Sequence, residues 1–297
     1  MYQKYKMKYY SPLRYPGGKG KISTFFTELL EANNLRGGTY IEPYVGGGSV
    51  ALYLLMNNFV NKIIINDKDR SLFAFWHSVL YETENLCRLI KDTPVSMDTW
   101  YKQKEIQKNK EDEDLLTLGF STFFLNRTNR SGIIKGGVIG GKQQNGNFLI
   151  DARYNKDELI TRITHIATFS NKIELFNVDA VDLVLAIKDK LNHNAFFYFD
   201  PPYFEKGKGL YMNYYNDQDH CDIFSAISSI NGSKWIVTYD MSSFIRNLYK
   251  DYRVFKYNLN YSAATVGKGT EYIIFSKNFR VPRNTSLNLV RVKKQEY

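Results

Sequence analysis

The segment that decides the fold is residues 39–67, TYIEPYVGGGSVALYLLMNNFVNKIIIND. It begins with TYIEP, which is typical of a short strand, and continues through a turn of three glycines. The apolar segment SVALYLLMN then predicts a helix, and KIIIN predicts a second strand that is closed by Asp67. Strand, glycine turn, helix, strand and acid in this order predict a βαβ unit.

The glycine turn and Asp67 together indicate a ligand site. Glycines let the backbone turn tightly and approach a ligand without Cβ atoms, and the helix that follows directs its N-terminus at a polar or anionic group. A carboxylate about 20 residues further on, at the end of the next strand, fits the binding of ribose hydroxyls. Dinucleotides and S-adenosylmethionine both suit this geometry, although the GxGxxG spacing is not kept because Ser-Val-Ala follows Gly48.

A second motif closes the very apolar segment AFFYF at 195–199. A strand that is apolar on both faces is typical of the centre of a parallel sheet, and ligands bind at the carboxyl ends of such strands. The strand ends in Asp200-Pro201-Pro202-Tyr203, where a carboxylate and a carbonyl of the stiff proline pair can accept both hydrogens of an aromatic amine. Tyr203 adds a ring on which a flat base can stack. Because a strand-ending Asp-Pro turn is also common, this chemistry depends on the combination with the glycine turn.

Two groups of alternating strands and helices are separated by residues 71–165, which read as mostly helical. We therefore predict one discontinuous α/β catalytic domain over 1–70 and 166–280, interrupted by a second, largely helical domain. Within this insert, residues 126–150 are rich in glycine and free of acids, which is typical of a mobile surface loop or hairpin. The basic tail, 281–297, is expected to fray.

The composition is that of a basic, folded protein. The chain has 297 residues, 43% of them hydrophobic, and a formal net charge of +10, which suits a polyanionic partner. Its two cysteines form no CxxC pair and its four histidines form no ligand-spaced cluster, so no metal site or disulfide is expected. No run of 18 apolar residues occurs, which predicts no membrane span, and a reducing cytoplasm is the expected location.

A third motif, Arg14-Tyr15-Pro-Gly-Gly-Lys19, precedes the glycine turn. On its own it is compatible with a basic surface turn. Together with the other two motifs, it makes the chain resemble the Dam-type, or D12-class, DNA adenine methyltransferases over roughly residues 11–280. That family has the same order of Gly-Gly-Lys, cofactor loop, inserted target-recognition domain and Asp-Pro-Pro-Tyr.

The resemblance implies a Rossmann-like, S-adenosylmethionine-dependent methyltransferase sheet with an inserted, mostly helical target-recognition domain that carries a β-hairpin or loop. The implied reaction moves a methyl group from S-adenosyl-L-methionine to N6 of a flipped-out adenine in double-stranded DNA. The motifs and the resemblance assign catalysis to Asp200, Pro201, Pro202 and Tyr203. They assign cofactor binding to Tyr15, Lys19, Glu42, Pro43, Tyr44, Gly46, Gly48, Asp67 and Asp179. DNA binding is assigned to Asn126, Arg127, Arg130, Lys135, Lys142 and Arg153.

One segment departs from the family. Between Gly132 and Asn145 the GATC-reading members have a different, shorter stretch, so the recognised DNA sequence does not carry over. Whether a cognate restriction endonuclease acts separately stays open, and we expect a monomer in a bacterial or phage-infected cell. Methylation of another amine, on RNA or on a protein glutamine, is an alternative. A non-catalytic DNA-binding module is another, but it would not explain why Asp67 and Asp200 both close apolar strands.

Overall fold

The computed structural model describes residues 10–14, 22–205, 215–261 and 267–292. Over these ranges the chain forms one sheet of eight strands and ten helices, and none of the described helices is long and apolar enough to cross a membrane. The strands are β1 (Thr39–Glu42), β2 (Lys62–Asn66), β3 (Ile173–Phe176), β4 (Ala195–Phe199), β5 (Lys234–Asp240), β6 (Arg253–Tyr261), β7 (Gly267–Phe275) and β8 (Val290–Arg291). The helices are α1 (Ser23–Ala32), α2 (Ser49–Met56), α3 (Arg70–Tyr81), α4 (Thr83–Asp92), α5 (Met97–Lys108), α6 (Leu115–Thr128), α7 (Lys156–Ala167), α8 (Ala180–Ile187), α9 (Asp217–Ser228) and α10 (Ser243–Leu248).

The strand order is β3-β2-β1-β4-β5-β7-β6-β8. The first five strands in this order run parallel, and β7 lies antiparallel between β5 and β6. The chain leaves β1 for β2 on one side and later returns to β4 on the other, so a topological switch point lies between β1 and β4. The predicted Rossmann-like α/β sheet is confirmed.

Helices cover both faces of the sheet because its central strands are apolar on both. All five residues of β4 are buried. One apolar cluster includes Phe26 of α1 and Leu54 of α2, and a second cluster on the other face includes Val184 of α8 and Ile223 of α9. Because helices cover both faces of the sheet, the carboxyl edge of the parallel strands is left for polar side chains.

The insert helices α3 to α7 extend the first of these clusters. Phe75 of α3 and Phe123 of α6 are fully buried, and their stacked ring centroids are 6.1 Å apart. Both residues belong to the same apolar cluster as Phe26 and Leu54. The insert and the sheet therefore share a core, and the division of the chain into a catalytic domain and a target-recognition domain at residues 71 and 165 stays a prediction.

The C-terminal tail differs from the expectation that it frays. Within the described part, which ends at residue 292, β8 pairs antiparallel with the edge strand β6. The Ser286 amide donates to a carboxylate oxygen of Glu28 at 2.9 Å, and the Arg280 amide donates to Asn33 Oδ1 at 2.7 Å. A two-residue strand has no readable periodicity, so the sequence alone could not predict this attachment.

Candidate active site

Three acids follow three adjacent parallel strands at the carboxyl edge. Glu42 ends β1, Asp67 follows β2 and Asp200 follows β4. The strand order β2-β1-β4 puts these ends side by side at the switch point, where open α/β sheets bind ligands. Glu42 and Pro43 are buried, whereas Asp67 and Asp200 are partly exposed.

The glycine loop after β1 is held against the end of β2. Gly46 and Gly48 adopt positive φ angles of 44° and 60°, a region that favours glycine. The Gly46 amide donates to Asp67 Oδ2 at 3.0 Å, and the Gly46 carbonyl accepts from the indole Nε1 of Trp76 at 3.0 Å. A Cβ on Gly48 would meet the Trp76 ring at 3.0 Å. The glycines are therefore required by the packing of α3 as well as by the turn.

Asp67 lies in an environment that disfavours its charged form. Burial, with a smaller contribution from the neighbouring charge of Asp69, raises the pKa of its carboxyl group from 3.8 to about 7. The amides of Gly46 and Asp69 donate to the carboxylate, each at 3.0 Å, and lower the pKa by a smaller amount. An acid in this position is stabilised by further hydrogen-bond donors, such as the hydroxyl groups of a ligand.

The side chain of Asn66 holds the loop after β1 and the loop after β3 together by hydrogen bonds. Its buried amide Nδ2 donates to the carbonyls of Pro43 at 2.9 Å and Val178 at 3.1 Å, and its Oδ1 accepts from the Val178 amide at 3.0 Å. Sequence reasoning read this residue only as the end of a strand. The available signal was an amide side chain directly after three isoleucines, at a position where a buried strand would otherwise continue.

Asp179 lies after β3, at the start of α8. Its Oδ1 accepts from the Val181 amide at 2.9 Å and thereby caps α8, while its Oδ2 pairs with Lys68 Nζ at 2.9 Å. A groove of about 510 Å³ opens between α8 and α9, with Asp179 and Tyr215 in its lining. The hydroxyl groups of Tyr215 and Tyr44 are 3.0 Å apart, which joins the glycine loop to the start of α9.

The Asp200-Pro201-Pro202-Tyr203 segment follows β4 directly. Thr238 Oγ1 of β5 donates to Asp200 Oδ1 at 2.6 Å. Because a hydroxyl group has one hydrogen, the Tyr198 hydroxyl, 2.9 Å from Thr238 Oγ1, must be the donor of that second pair. The two hydroxyl groups thus form a chain that ends on Asp200 and fixes the plane of its carboxylate. The sequence did not reveal Thr238, because no motif surrounds it.

Tyr203 is buried, and its hydroxyl group donates to the carboxylate of Glu271 on β7. Tyr15 and Lys19, the other predicted cofactor residues, lie outside the described residues. The described segment that precedes them, residues 10–14, packs against the end of α6. The predicted catalytic and cofactor residues that the structure describes therefore gather at one edge of the sheet.

Asn126 is buried, which differs from the predicted position on the DNA-contacting surface. Its Oδ1 accepts from the Arg14 amide at 2.7 Å, and its Nδ2 donates to the carbonyls of Arg14 at 2.7 Å and Gly132 at 2.9 Å. Gly132 has a φ of +77°, and a Cβ there would lie 2.0 Å from the Arg14 carbonyl oxygen. The side chain of Asn126 thus holds the turn that follows α6, because its amide is used entirely by backbone groups.

Arg127 is also inside the protein, and its surroundings oppose its charge. Only 9% of the residue is exposed, and no described residue accepts a hydrogen bond from its Nε. Burial, together with the charges of Arg162 and Arg14, lowers the pKa of its guanidinium to about 10, against a weaker opposing effect of Glu158. The pKa of Arg14 is lowered by burial and by Arg153. Arg14 and Arg162 thus lie near Arg127, Arg153 lies near Arg14, and Arg162 is paired with Glu158.

The other predicted DNA-binding residues are exposed: Arg130, Lys135, Lys142 and Arg153. The segment that carries them is a compact series of turns with one isolated bridge, between Asn129 and Val138. Gln144 organises it, since its amide donates to the carbonyls of Ile139 at 2.8 Å and Gly141 at 2.7 Å. The cations are therefore presented from an internally hydrogen-bonded surface.

Comparison with known proteins gives the same family as the resemblance. A family model described as D12 class N6 adenine-specific DNA methyltransferase matches residues 15–263. The type II methyltransferase M.MjaIII of Methanocaldococcus jannaschii is 27% identical over 222 residues, which cover 71% of this chain and 74% of that protein.

Two solved structures share the general arrangement at low identity. A putative RNA methyltransferase, PH1948 from Pyrococcus horikoshii, is 10% identical with a TM-score of 0.41 and covers 90% of this chain and 89% of its own. The rRNA methyltransferase aviRa from Streptomyces viridochromogenes is 12% identical with a TM-score of 0.36 and covers 88% of this chain and 86% of its own. The fold assignment rests on the strand order given above.

Proposed function

The chain belongs to the D12 class of N6 adenine-specific DNA methyltransferases, and we propose that it moves the methyl group of S-adenosyl-L-methionine to N6 of an adenine flipped out of double-stranded DNA. The observation that carries this proposal is the gathering of the glycine loop, Asp67 and Asp200 at the switch point of the sheet. A site for a nucleoside cofactor and a site for an aromatic amine are thereby adjacent.

The residues beside Asp67 fit the cofactor. Ribose hydroxyl groups donate hydrogen bonds, and a carboxyl group whose pKa is raised to about 7 by burial gains from such donors. The positive φ angles of Gly46 and Gly48 keep the loop in its tight turn, and Tyr44 joins the loop to Tyr215. We assign the adenine end of the cofactor to Asp179. Tyr15 and Lys19 are proposed to hold its methionine carboxylate.

We assign the methyl-transfer reaction to the segment after β4. When bound, the cofactor supplies a methyl group on a sulfonium centre. The carboxylate of Asp200 and the carbonyl of Pro201 are proposed to accept the two hydrogens of the N6 amine, which favours a pyramidal nitrogen with its lone pair directed at the methyl carbon. Asp200 would accept the proton that the amine nitrogen loses as it takes the methyl group, and the cofactor would leave as a neutral thioether. Thr238 supports this role because its hydrogen bond orients the carboxylate.

DNA binding is proposed for the arginine-rich face of the insert. The buried guanidinium of Arg127, flanked by the charges of Arg14 and Arg162, would be stabilised by a phosphate group. The exposed cations Arg130 and Arg153 lie on the same segment of chain. Base flipping costs a few kcal/mol, part of which is recovered when the base stacks on the ring of Tyr203. A single copy of the chain carries all these residues, which supports action as a monomer.

Modification-sensitive long-read sequencing tests the proposal. DNA from cells that express the chain is compared with DNA from cells that express Asp200→Ala or the control Asp189→Ala, an exposed acid just after the end of α8. We expect N6-methyladenine at one short DNA sequence with the wild type and the control, and none with Asp200→Ala. Modified cytosine, or the same adenine signal with Asp200→Ala, would contradict the proposal.

A further inference from the structure

The loop that carries the catalytic motif is held by two buried acids from the antiparallel half of the sheet. Glu271 of β7 accepts hydrogen bonds from the hydroxyl groups of Tyr203 and Tyr257. Asp240, the last residue of β5, accepts from the amides of Phe204 at 2.9 Å and Glu205 at 2.8 Å. The ring of Tyr203 and the backbone that follows it are therefore fixed by separate carboxylates.

The two acids stand directly opposite each other. Asp240 is the register partner of Glu271 in the β5–β7 pair, so their side chains leave the same face of the sheet. Only 2% of Asp240 and 1% of Glu271 are exposed. Like charges in this arrangement repel, and burying each carboxylate costs hydration free energy. Two apolar residues would fill the same positions without these costs.

Donors from the catalytic loop offset part of these costs. The hydroxyl of Tyr203 and the amides of Phe204 and Glu205 supply three of the four hydrogen bonds described above. Tyr257, the register partner of Glu271 on β6, supplies the fourth. The burial of the acid pair is therefore coupled to one conformation of the loop, in which the Tyr203 ring has a fixed orientation.

We propose that Glu271 is a positioning residue for methyl transfer, which acts by fixing the ring of Tyr203 through its hydroxyl group. The inference rests on the proposed function, in which the target adenine stacks on that ring. In this proposal Glu271 acts through Tyr203 and not by a contact with the base or the cofactor. Its removal should leave cofactor binding intact and impair the stacking of the flipped base and the rate of transfer.

Three variants separate this role from a general effect on folding. Glu271→Ala removes the acceptor, Glu271→Gln keeps one, and the control Tyr257→Phe removes the other hydrogen bond to the same carboxylate without touching Tyr203. Single-turnover methylation of duplex DNA, binding of S-adenosylhomocysteine, and the fluorescence of 2-aminopurine at the target adenine are measured for each. Stacking quenches this fluorescence, so it reports how well the ring holds the base.

For Glu271→Ala we expect the single-turnover rate to fall about 10- to 100-fold, because small displacements of reacting groups have effects of this size. The 2-aminopurine signal should rise, and binding of S-adenosylhomocysteine should be unchanged. Glu271→Gln should recover part of the rate, and Tyr257→Phe should stay close to the wild type. Tyr203→Phe, which keeps the ring but removes the same hydrogen bond, should match Glu271→Ala, and the double variant Tyr203→Phe/Glu271→Ala should be no slower than the slower single variant.

Wild-type rate and fluorescence in Glu271→Ala would overturn the inference. So would a parallel loss of cofactor binding and rate in Glu271→Ala and Tyr257→Phe, since that pattern reports a structural role. Additive losses in the double variant would show that Glu271 does not act through Tyr203. A wild-type protein that methylates no adenine in duplex DNA would instead contradict the proposed function, whatever the variants do.

Discussion

At the scale of single residues, Asp67 couples ligand binding to folding stability. Its carboxyl group titrates at about 7 in the folded protein, against an ordinary value of 3.8. Between these values the folded protein holds a proton that the unfolded chain has lost. The free energy of unfolding therefore falls as the pH rises from about 4 to 7, and the penalty is fully present above that window.

Asp67→Asn removes this titration, so we expect the variant to be more stable than the wild type at pH 8, with a difference that shrinks towards pH 4. Each unit of pKa shift corresponds to about 1.4 kcal/mol. Urea unfolding at pH 4, 6 and 8 measures the difference, with the exposed Asp189→Asn as control. Parallel stability curves for Asp67→Asn and the wild type would show that Asp67 does not titrate in this window.

The same substitution should weaken binding of the cofactor. Loss of a charge-assisted hydrogen bond costs about 1.5–3 kcal/mol, so the Kd for S-adenosylhomocysteine should rise about 10- to 150-fold in Asp67→Asn. Because the ionised carboxylate is the stronger acceptor, wild-type affinity should also fall as the pH drops below about 7. Calorimetric titration at pH 6 and 8 measures both effects. An unchanged Kd in the variant would remove Asp67 from the cofactor site.

At the scale of elements, the turns after α6 form one unit with the N-terminal segment. The sequence indicated a loop or hairpin here, from glycines and the lack of acids. The structure shows that Asn126 and Gly132 are fixed against the backbone of Arg14, 112 residues away from Asn126 in the chain. Patterns of composition report exposure and turns, but they cannot report a contact across such a separation.

Gly132→Ala tests this contact. The left-handed φ of +77° and the approach of the Arg14 carbonyl leave no room for a Cβ, so the free energy of unfolding should fall by at least about 1–2 kcal/mol. DNA binding should weaken for every sequence, while S-adenosylhomocysteine binding persists. Gly137→Ala is the matched control, since a Cβ there meets no described atom within 4 Å. Equal behaviour of the two variants would contradict the role given to this turn.

The exposed cations of the same segment should divide into two groups. An arginine can bind guanine O6 and N7 with both arms, which is worth about 1–3 kcal/mol of discrimination, whereas a lysine is a point charge that suits phosphate. We expect Arg130→Ala or Arg153→Ala to relax the preference for the target sequence. Lys135→Ala and Lys142→Ala should weaken binding to all DNA sequences alike. Each should lower the slope of the logarithm of the binding constant against the logarithm of the salt concentration by about one.

Methylation of the target and of its one-base variants at several salt concentrations measures this division, with Arg36→Ala as an exposed control that pairs with Glu31. Asn126 is not expected to contact a base in this conformation, because its amide is used by the backbone groups of Arg14 and Gly132. If the four substitutions reduce methylation by the same factor on all sequences, these cations carry no sequence information.

At the scale of the whole molecule, the strands that carry the acids were predictable from the sequence, and the contacts made across paired strands were not. β1, β2 and β4 are short apolar runs closed by acids, and their order follows from the rules of α/β folds. Thr238 and Glu271 reach the catalytic segment only through strand pairing, across 38 residues to Asp200 and 68 residues to Tyr203. No local sequence pattern encodes such contacts, so the residues that hold the catalytic segment were identified only from the structure.

The most direct test of the central claim is mass spectrometry of nucleosides from duplex DNA that the purified protein has treated with S-adenosyl-L-methionine carrying a deuterated methyl group. The account predicts deuterated N6-methyldeoxyadenosine with the wild type. It predicts none with Asp200→Ala, although this variant still binds DNA and S-adenosylhomocysteine. Label on cytosine, label only on RNA or protein, or equal label on adenine with Asp200→Ala would contradict it.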